Sequence, residues 1–199
     1  LPKDGTTGEV FGGVGFVANE RDLAARLDTS QGDFAFHADG VFRKSNDYSI
    51  SNDNRPRSQS GTDVENWMGS VGTAWIDDRG RVGGSYTRAE SVYGIPDSDA
   101  NVEVDMHSDR FRLEGDLFDP LPGVREVRFR GVYSDYKHDE RAGGVIGQTY
   151  QNEEFEGRLE LIHEEFFGFS GALGVHAKRR DFRGEGEAAA FFSPAETTT

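Results

Sequence analysis

The sequence predicts an all-β fold: part of an antiparallel, up-and-down transmembrane β-barrel of about nine strands. Three observations carry this. Apolar and polar residues alternate with period 2 over most of the chain, so each segment has one greasy and one wet face when extended. Tight turns alternate with long polar connections, as in barrels whose strands cross a membrane and return. Several strands reach roughly 10 residues, or about 33 Å at about 3.3 Å each, where globular strands have about 5–6.

Taken in order, residues 10–18 are apolar or glycine on both parities. Leu23, Ala25 and Leu27 alternate with Ala24 and Arg26, and residues 20–27 form the one stretch where a helix competes. In DFAFHADGVFRK (33–44), Phe34, Phe36, Ala38, Gly40 and Phe42 oppose Asp33, His37, Asp39 and Arg43. Residues 69–76 and 81–88 read as Gly/Ser/Thr-rich strands containing Trp75 and Tyr86. Next, Phe111, Leu113, Gly115 and Leu117 oppose Arg110, Arg112, Glu114 and Asp116. Val127, Phe129, Gly131 and Tyr133 oppose Glu126, Arg128, Arg130 and Ser134. Phe155, Gly157, Leu159 and Leu161 oppose Glu156, Arg158 and Glu160. Finally, Phe169, Gly171, Leu173, Val175 and Ala177 oppose Ser170, His176 and Lys178. Residues 185–199 lose the pattern and read as the start of a further long loop.

Tight connections fall at 30–32, 77–80, 120–123 and 166–168, and long polar ones at 45–66, 90–103 and 138–152. Pro56, Pro96, Pro120 and Pro122 sit in connections, which suits a sheet that needs its backbone donors.

Composition narrows the function. The 199 residues contain no cysteine, which excludes disulfide scaffolds, thiolate metal sites and cysteine nucleophiles. A net charge of -14 without a compensating basic cluster argues against nucleic-acid binding. No stretch has the roughly 20 apolar residues of a membrane helix, a test that half-apolar barrel strands never meet. The first residues lack the shape of a signal peptide. No catalytic constellation stands out. The glycines at 12, 13 and 15 have neither the lysine nor the helix of a phosphate loop.

The apolar parities of the clearest strands carry no Arg or Lys, whose placement at mid-bilayer on a lipid face costs about 2–4 kcal/mol. The opposite parities are charged in both signs, and opposed charges on neighbouring strands are expected to form ladders. His37 and His176 belong to that wet face. Trp75, Phe118, Phe166 and Phe167 lie near tight turns, and Tyr93, Tyr133 and Tyr136 near long connections; two aromatic girdles would have this arrangement.

The most suggestive chemistry follows Tyr93. Asp97, Asp99, Glu103, Asp105, His107 and Asp109 fall close together, and Glu103, Asp105 and His107 share one parity. Mixed imidazole and carboxylate donors suit zinc or a similar divalent ion. An acidic, solvated loop is the plainer reading. His138, in the stretch Tyr136-Lys137-His138-Asp139-Glu140, is a possible second donor, with a polar strand end as its plainer alternative.

The stretches FAFHADGVFRKSNDYSI, GSYTRAESVYGIP, RFRLEGDLFDPLPGVREVRFRGVYSDYKHDE and NEEFEGRLELIHEEFFGFSGALGVHAKRRDF resemble the barrel of TonB-dependent outer-membrane receptors, in particular the zinc-, haem- and iron-complex uptake type. The likeness runs from about residue 8 to residue 182 and rests on strand-and-turn patterns. It implies a large barrel filled by an N-terminal plug, capture of a scarce nutrient outside the cell, and import energised by the TonB complex acting through that plug. Zinc-type receptors carry a histidine-rich insertion in the loop matching the one after Tyr93; here it holds only His107.

Residues 1–199 contain no plug and no TonB-contacting segment, and about nine strands are too few, and odd in number, for such a barrel. The whole chain therefore reads as a barrel fragment of a bacterial outer membrane. The lipid of that membrane and TonB, reached through the plug, are the expected partners. No reaction is expected and no cofactor of its own, with zinc or an iron complex as transported cargo. A passive porin-like channel and a soluble antiparallel β-sheet binding module stay open. The first calls for a full gene without a plug, the second for folding in water without detergent.

Overall fold

A computed structural model describes residues 4–51, 57–96 and 101–199. The strands are β1 Gly5–Gly15, β2 Glu20–Gln31, β3 Phe34–Ser45, β4 Ser49–Ile50, β5 Arg57–Ser58, β6 Val64–Asp77, β7 Gly80–Gly94, β8 Val102–Leu121, β9 Val124–Ala142, β10 Val145–His163, β11 Ala172–Gly186 and β12 Ala195–Thr198. Ten of them form one antiparallel sheet in the order β1-β2-β3-β6-β7-β8-β9-β10-β11-β12, and β4 and β5 make a separate small hairpin. Every main-sheet strand pairs with the next one along the chain, and β1 and β12 are the two open edges. The architecture is the expected up-and-down sheet of a barrel that does not close on itself.

The strand count rises from about nine to ten because the tail is not a loop. After β11, a single 3-10 turn at Glu187–Ala190 returns the chain, and β12 pairs with β11 from Arg179 opposite Thr198 to Phe182 opposite Ala195. Its sequence, Ala195–Thr198, has no apolar alternation to announce a strand; a four-residue edge is held by its neighbour's ladder instead. Two expected long connections also shrink. β7 runs to Gly94 and β8 begins at Val102, while β9 and β10 are joined by two residues, Gly143 and Gly144, both at positive φ. Beyond the hydrocarbon a strand has water on both faces, so its sequence is polar on both parities and reads as loop. The stretch 45–66 contains the β4–β5 hairpin, and residues 20–27 are strand throughout.

The sheet is one layer thick. Among the described residues only Ala35 and Val104 are buried apolar side chains, and no large side chain is fully enclosed. Phe111, Leu113, Phe155 and Leu159 are each 51–52% exposed. Among the described residues no second layer covers their face.

Register shows how that face is laid out. Cross-strand rows run Phe34–Trp75–Val82–Gly115–Phe129–Leu159–Val175 and Leu27–Ala38–Val71–Tyr86–Phe111–Tyr133–Phe155. The band's edge lies lower on the later strands than on the earlier ones. On β3 its last apolar residue is Phe42, before Lys44, and on β11 it is Ala177, before Arg179. Pairing puts Ala177 level with Phe36, and between these ends the edge is stepped: Trp67 on β6 is level with Phe42, while Tyr86, Phe111, Tyr133 and Phe155 on β7 to β10 share one row level with Ala38.

The expected upper girdle is corrected by the same register. Tyr86, Phe111, Tyr133 and Phe155 form the rim of the band, whereas Tyr93 and Tyr136 lie on the opposite, polar face.

If the two faces meet different solvents, a charge must cost more on one than on the other. We expect Leu159→Arg to lower folding stability in lipid vesicles by about 2–4 kcal/mol. Arg158→Leu, which removes a solvent-exposed ion pair with Glu160, should cost less than about 1 kcal/mol. Urea titration of both variants checks this; equal losses would mean the faces are not distinguished by lipid.

Candidate functional site

At the end opposite the tight turns, β8, β9 and β10 continue past the hydrocarbon band as a three-stranded extension, roughly residues 102–109, 134–142 and 145–154. Its two faces differ.

The outward face carries Glu103, Asp105 and His107, on the same parity as Phe111. The strand does set the three on one side, as their spacing predicts. It also spaces them by about 7 Å per step, and each faces its own cross-strand neighbour. Glu103 lies opposite Arg141, Asp105 opposite Asp139, and His107 between Glu90 and Lys137. Asp105 forms an ion pair with Arg141 at 2.8 Å. Among the described residues no group of three His, Asp or Glu side chains is placed to hold a metal ion. Asp97 and Asp99 lie outside the described residues.

His138 is on the other face, so the extension separates it from His107. There it belongs to a cluster of rings. Its Nδ1 is 2.7 Å from the Tyr136 hydroxyl, its Nε2 is 3.7 Å from Glu140, and its ring lies 4.6 Å from Tyr150 and 5.6 Å, edge-on, from Tyr136. Tyr150 in turn meets Phe182 at 6.5 Å and Phe192 at 6.0 Å. The Tyr150 hydroxyl donates to Gln148 at 2.8 Å, and Gln148 donates to Glu140 at 3.1 Å. Burial pushes the Tyr136 hydroxyl above its usual pKa, with Tyr93 adding to the effect. Burial and then Glu140 do the same for Tyr150, so both stay protonated donors near neutrality.

Behind the cluster, Asp139 is buried. Burial opposes its charge, but the Thr149 hydroxyl at 2.5 Å, Lys137 at 3.2 Å and Arg141 outweigh that and hold its pKa below the carboxylate norm.

Tyr150, Phe182 and Phe192 were not singled out by sequence. The available signal was Gly143-Gly144, a two-residue hairpin turn. Folding the chain there sets Tyr150 opposite His138. Reading 138–152 as a loop hid that pairing.

On the polar face within the band, His37 and His176 are ladder members, as expected. His37 bridges Asp28 and Asp39, each at 2.7 Å, and His176 meets Glu156 at 2.9 Å. The expected cross-strand ladder through Arg110, Arg112 and Arg130 does not form. Neighbouring pairs close along single strands instead, Arg128 with Glu126 at 2.7 Å and Arg158 with Glu160 at 2.6 Å. A strand neighbour two residues away is within reach without crossing to another strand.

No protein-family model matches the sequence. Among solved structures, the fold is similar to the copper transporter OprC, with a TM-score of 0.68 and 13% identity over 98% of this chain and 33% of that one. It is also similar to the FrpB iron transporter from Neisseria meningitidis (F3-3 variant), with a TM-score of 0.66 and 10% identity over 89% of this chain and 30% of that one. The chain thus spans about a third of the length of these structures, and the likeness is one of fold.

Two measurements test the extension. Phe192→Ala removes the ring that ties the tail to Tyr150 and Phe182, so β12 amides should exchange hydrogen faster while those of the β8–β9 pair are unchanged. Because the folded-state pKa of Asp139 lies below the unfolded value of 3.8, its stabilisation is complete at neutral pH and is lost as pH falls from about 4 through the folded value. In thermal melts, Asp139→Asn should therefore be less stable than the parent near neutrality, and the difference should vanish in acid.

Proposed function

We propose that the chain is a segment of the barrel of a TonB-dependent outer-membrane receptor that takes up a scarce metal or metal complex. The observation that carries this reading is the fold: one in-order antiparallel sheet with an exposed apolar band on one face and a polar extension at one end. Likeness to two metal-transporter structures over nearly the whole chain supports it. In this reading the apolar face meets outer-membrane lipid and the polar face lines the lumen. TonB acts through a plug elsewhere in the receptor. The chain contributes wall and external mouth and catalyses nothing.

His138, with Tyr136 and Tyr150, would meet the solute at the mouth. Glu103, Asp105 and His107 face away from the lumen, so we assign them to the outer surface of the barrel and not to the solute path.

Deleting the complete gene and following uptake of radiolabelled zinc, copper and iron under chelator-imposed starvation tests the proposal. Uptake of one metal should fall on deletion and equally on loss of TonB function. Uptake that persists without TonB would favour a passive channel, and folding of the chain in plain buffer would favour a soluble module.

A further inference from the structure

On the polar face, Arg110 and Arg112 stand two residues apart on β8, and Arg130 stands beside them on β9. Register sets Arg110 between Thr87 and Ser134, Arg112 between Ser85 and Val132, and Arg130 between Glu114 and Arg158. All three are exposed.

Their neighbours on this face are engaged. Arg26 binds Asp28 at 2.6 Å, Arg81 binds Asp116 at 2.6 Å, and Lys178 binds Glu154 at 3.0 Å. Arg128 and Arg158 hold their own strand's glutamates, and Arg180 donates to Asn152. Among the described residues, no carboxylate lies within ion-pair distance of Arg110, Arg112 or Arg130. Glu114, opposite Arg130 in register, makes no such contact either. Arg130 feels Glu160 only at longer range; in a chain with 36 acidic and 22 basic residues, three neighbouring guanidiniums without a close ion pair are the exception.

Arg112 and Arg130 sit within the depth of the apolar band, on the far side of the sheet, and Arg110 sits at its Phe111 rim. The hydroxyls of Ser85, Thr87 and Ser134 surround them. Beside Arg112 lies a hollow of about 220 Å³ bordered by His37, Gly72, Gly83, Ser85 and Glu114. Guanidinium forks recognise carboxylate and phosphate oxygens in pairs, and arginines in a pore favour anions and repel cations.

We propose that Arg110, Arg112 and Arg130 form an anion-recognition site on the lumen wall, taking a small solute with two or more carboxylate or phosphate groups. The lumen in this statement rests on the barrel reading above. Within that reading the site names the cargo class: a metal passes this wall inside an anionic chelate, since a bare cation would be repelled.

Calorimetry of the folded 199-residue chain in detergent, with inorganic pyrophosphate as probe and zinc chloride for comparison, tests the site. Pyrophosphate should bind, more weakly as salt rises. Each Arg→Gln change at 110 or 112 should weaken it about tenfold, as expected for a charge-assisted hydrogen bond. Arg112→Lys should keep more affinity than Arg112→Gln, and Arg79→Gln and Arg125→Gln at the tight-turn end should change nothing.

Absent binding, or binding that survives in R110Q/R112Q/R130Q, overturns the site. So does binding to the chain but not to the complete receptor, which would point to an acidic polypeptide segment as the occupant. Failure of the barrel reading shows elsewhere, in whether the chain inserts into vesicles; the anion titration is unaffected, because this face meets water either way.

Discussion

A strand in hydrocarbon has no water for its backbone, so each N–H and C=O must pair with the strand alongside. Unbroken antiparallel pairing from β1 to β11 meets that requirement everywhere except at the two edges. Once register is locked, period 2 decides which side each residue occupies, and a slip by one residue would exchange the two faces. The hydrocarbon band, the polar wall and the mouth cluster all follow from that one ladder. The rim row Tyr86–Phe111–Tyr133–Phe155 is its clearest consequence, since it depends on the relative register of four strands and is invisible in any one of them.

This division explains what the sequence could and could not disclose. Segments inside the band announced themselves, because an apolar face on one flank and a polar face on the other require alternation; the stretches around Phe36, Phe111, Phe129, Phe155 and Val175 are all strand in register. Segments outside it did not. Residues 138–152 are as extended and as well paired as their neighbours, yet with water on both faces they have no reason to alternate. The tail at β12 failed for a related cause: its pairing is supplied by β11, and its own residues carry little preference.

The candidate site was legible to the same degree. Parity correctly put Glu103, Asp105 and His107 on one face. Parity within one strand cannot say which neighbour stands opposite, and it was Arg141 and Lys137 opposite Glu103 and His107, together with the extension's two sides, that separated this trio from His138. The aromatic neighbours of His138 come from three different parts of the chain, and only the Gly143-Gly144 turn could have joined two of them in advance.

Net charge is the quantity most changed by seeing the fold. A value of -14 suggests a uniformly negative molecule. The sheet instead sorts its charge by place. Just beyond the rim of the band, on the outward face, Asp109, Asp135, Glu153 and Asp181 lie in one cross-strand row, an arrangement of like charges that sheets normally avoid and that is tolerable where water and counter-ions screen it. From the rim inward on the opposite face the excess is of the other sign, carried by arginines that, among the described residues, no carboxylate meets at ion-pair distance. The acidic row and the arginines lie on opposite faces of the sheet, and an ion pair needs contact within about 4 Å, so acid on one face leaves guanidiniums on the other without a close partner. A strongly acidic protein can therefore present a locally cationic wall, and what that wall accepts is set by the residues within a few ångströms of it.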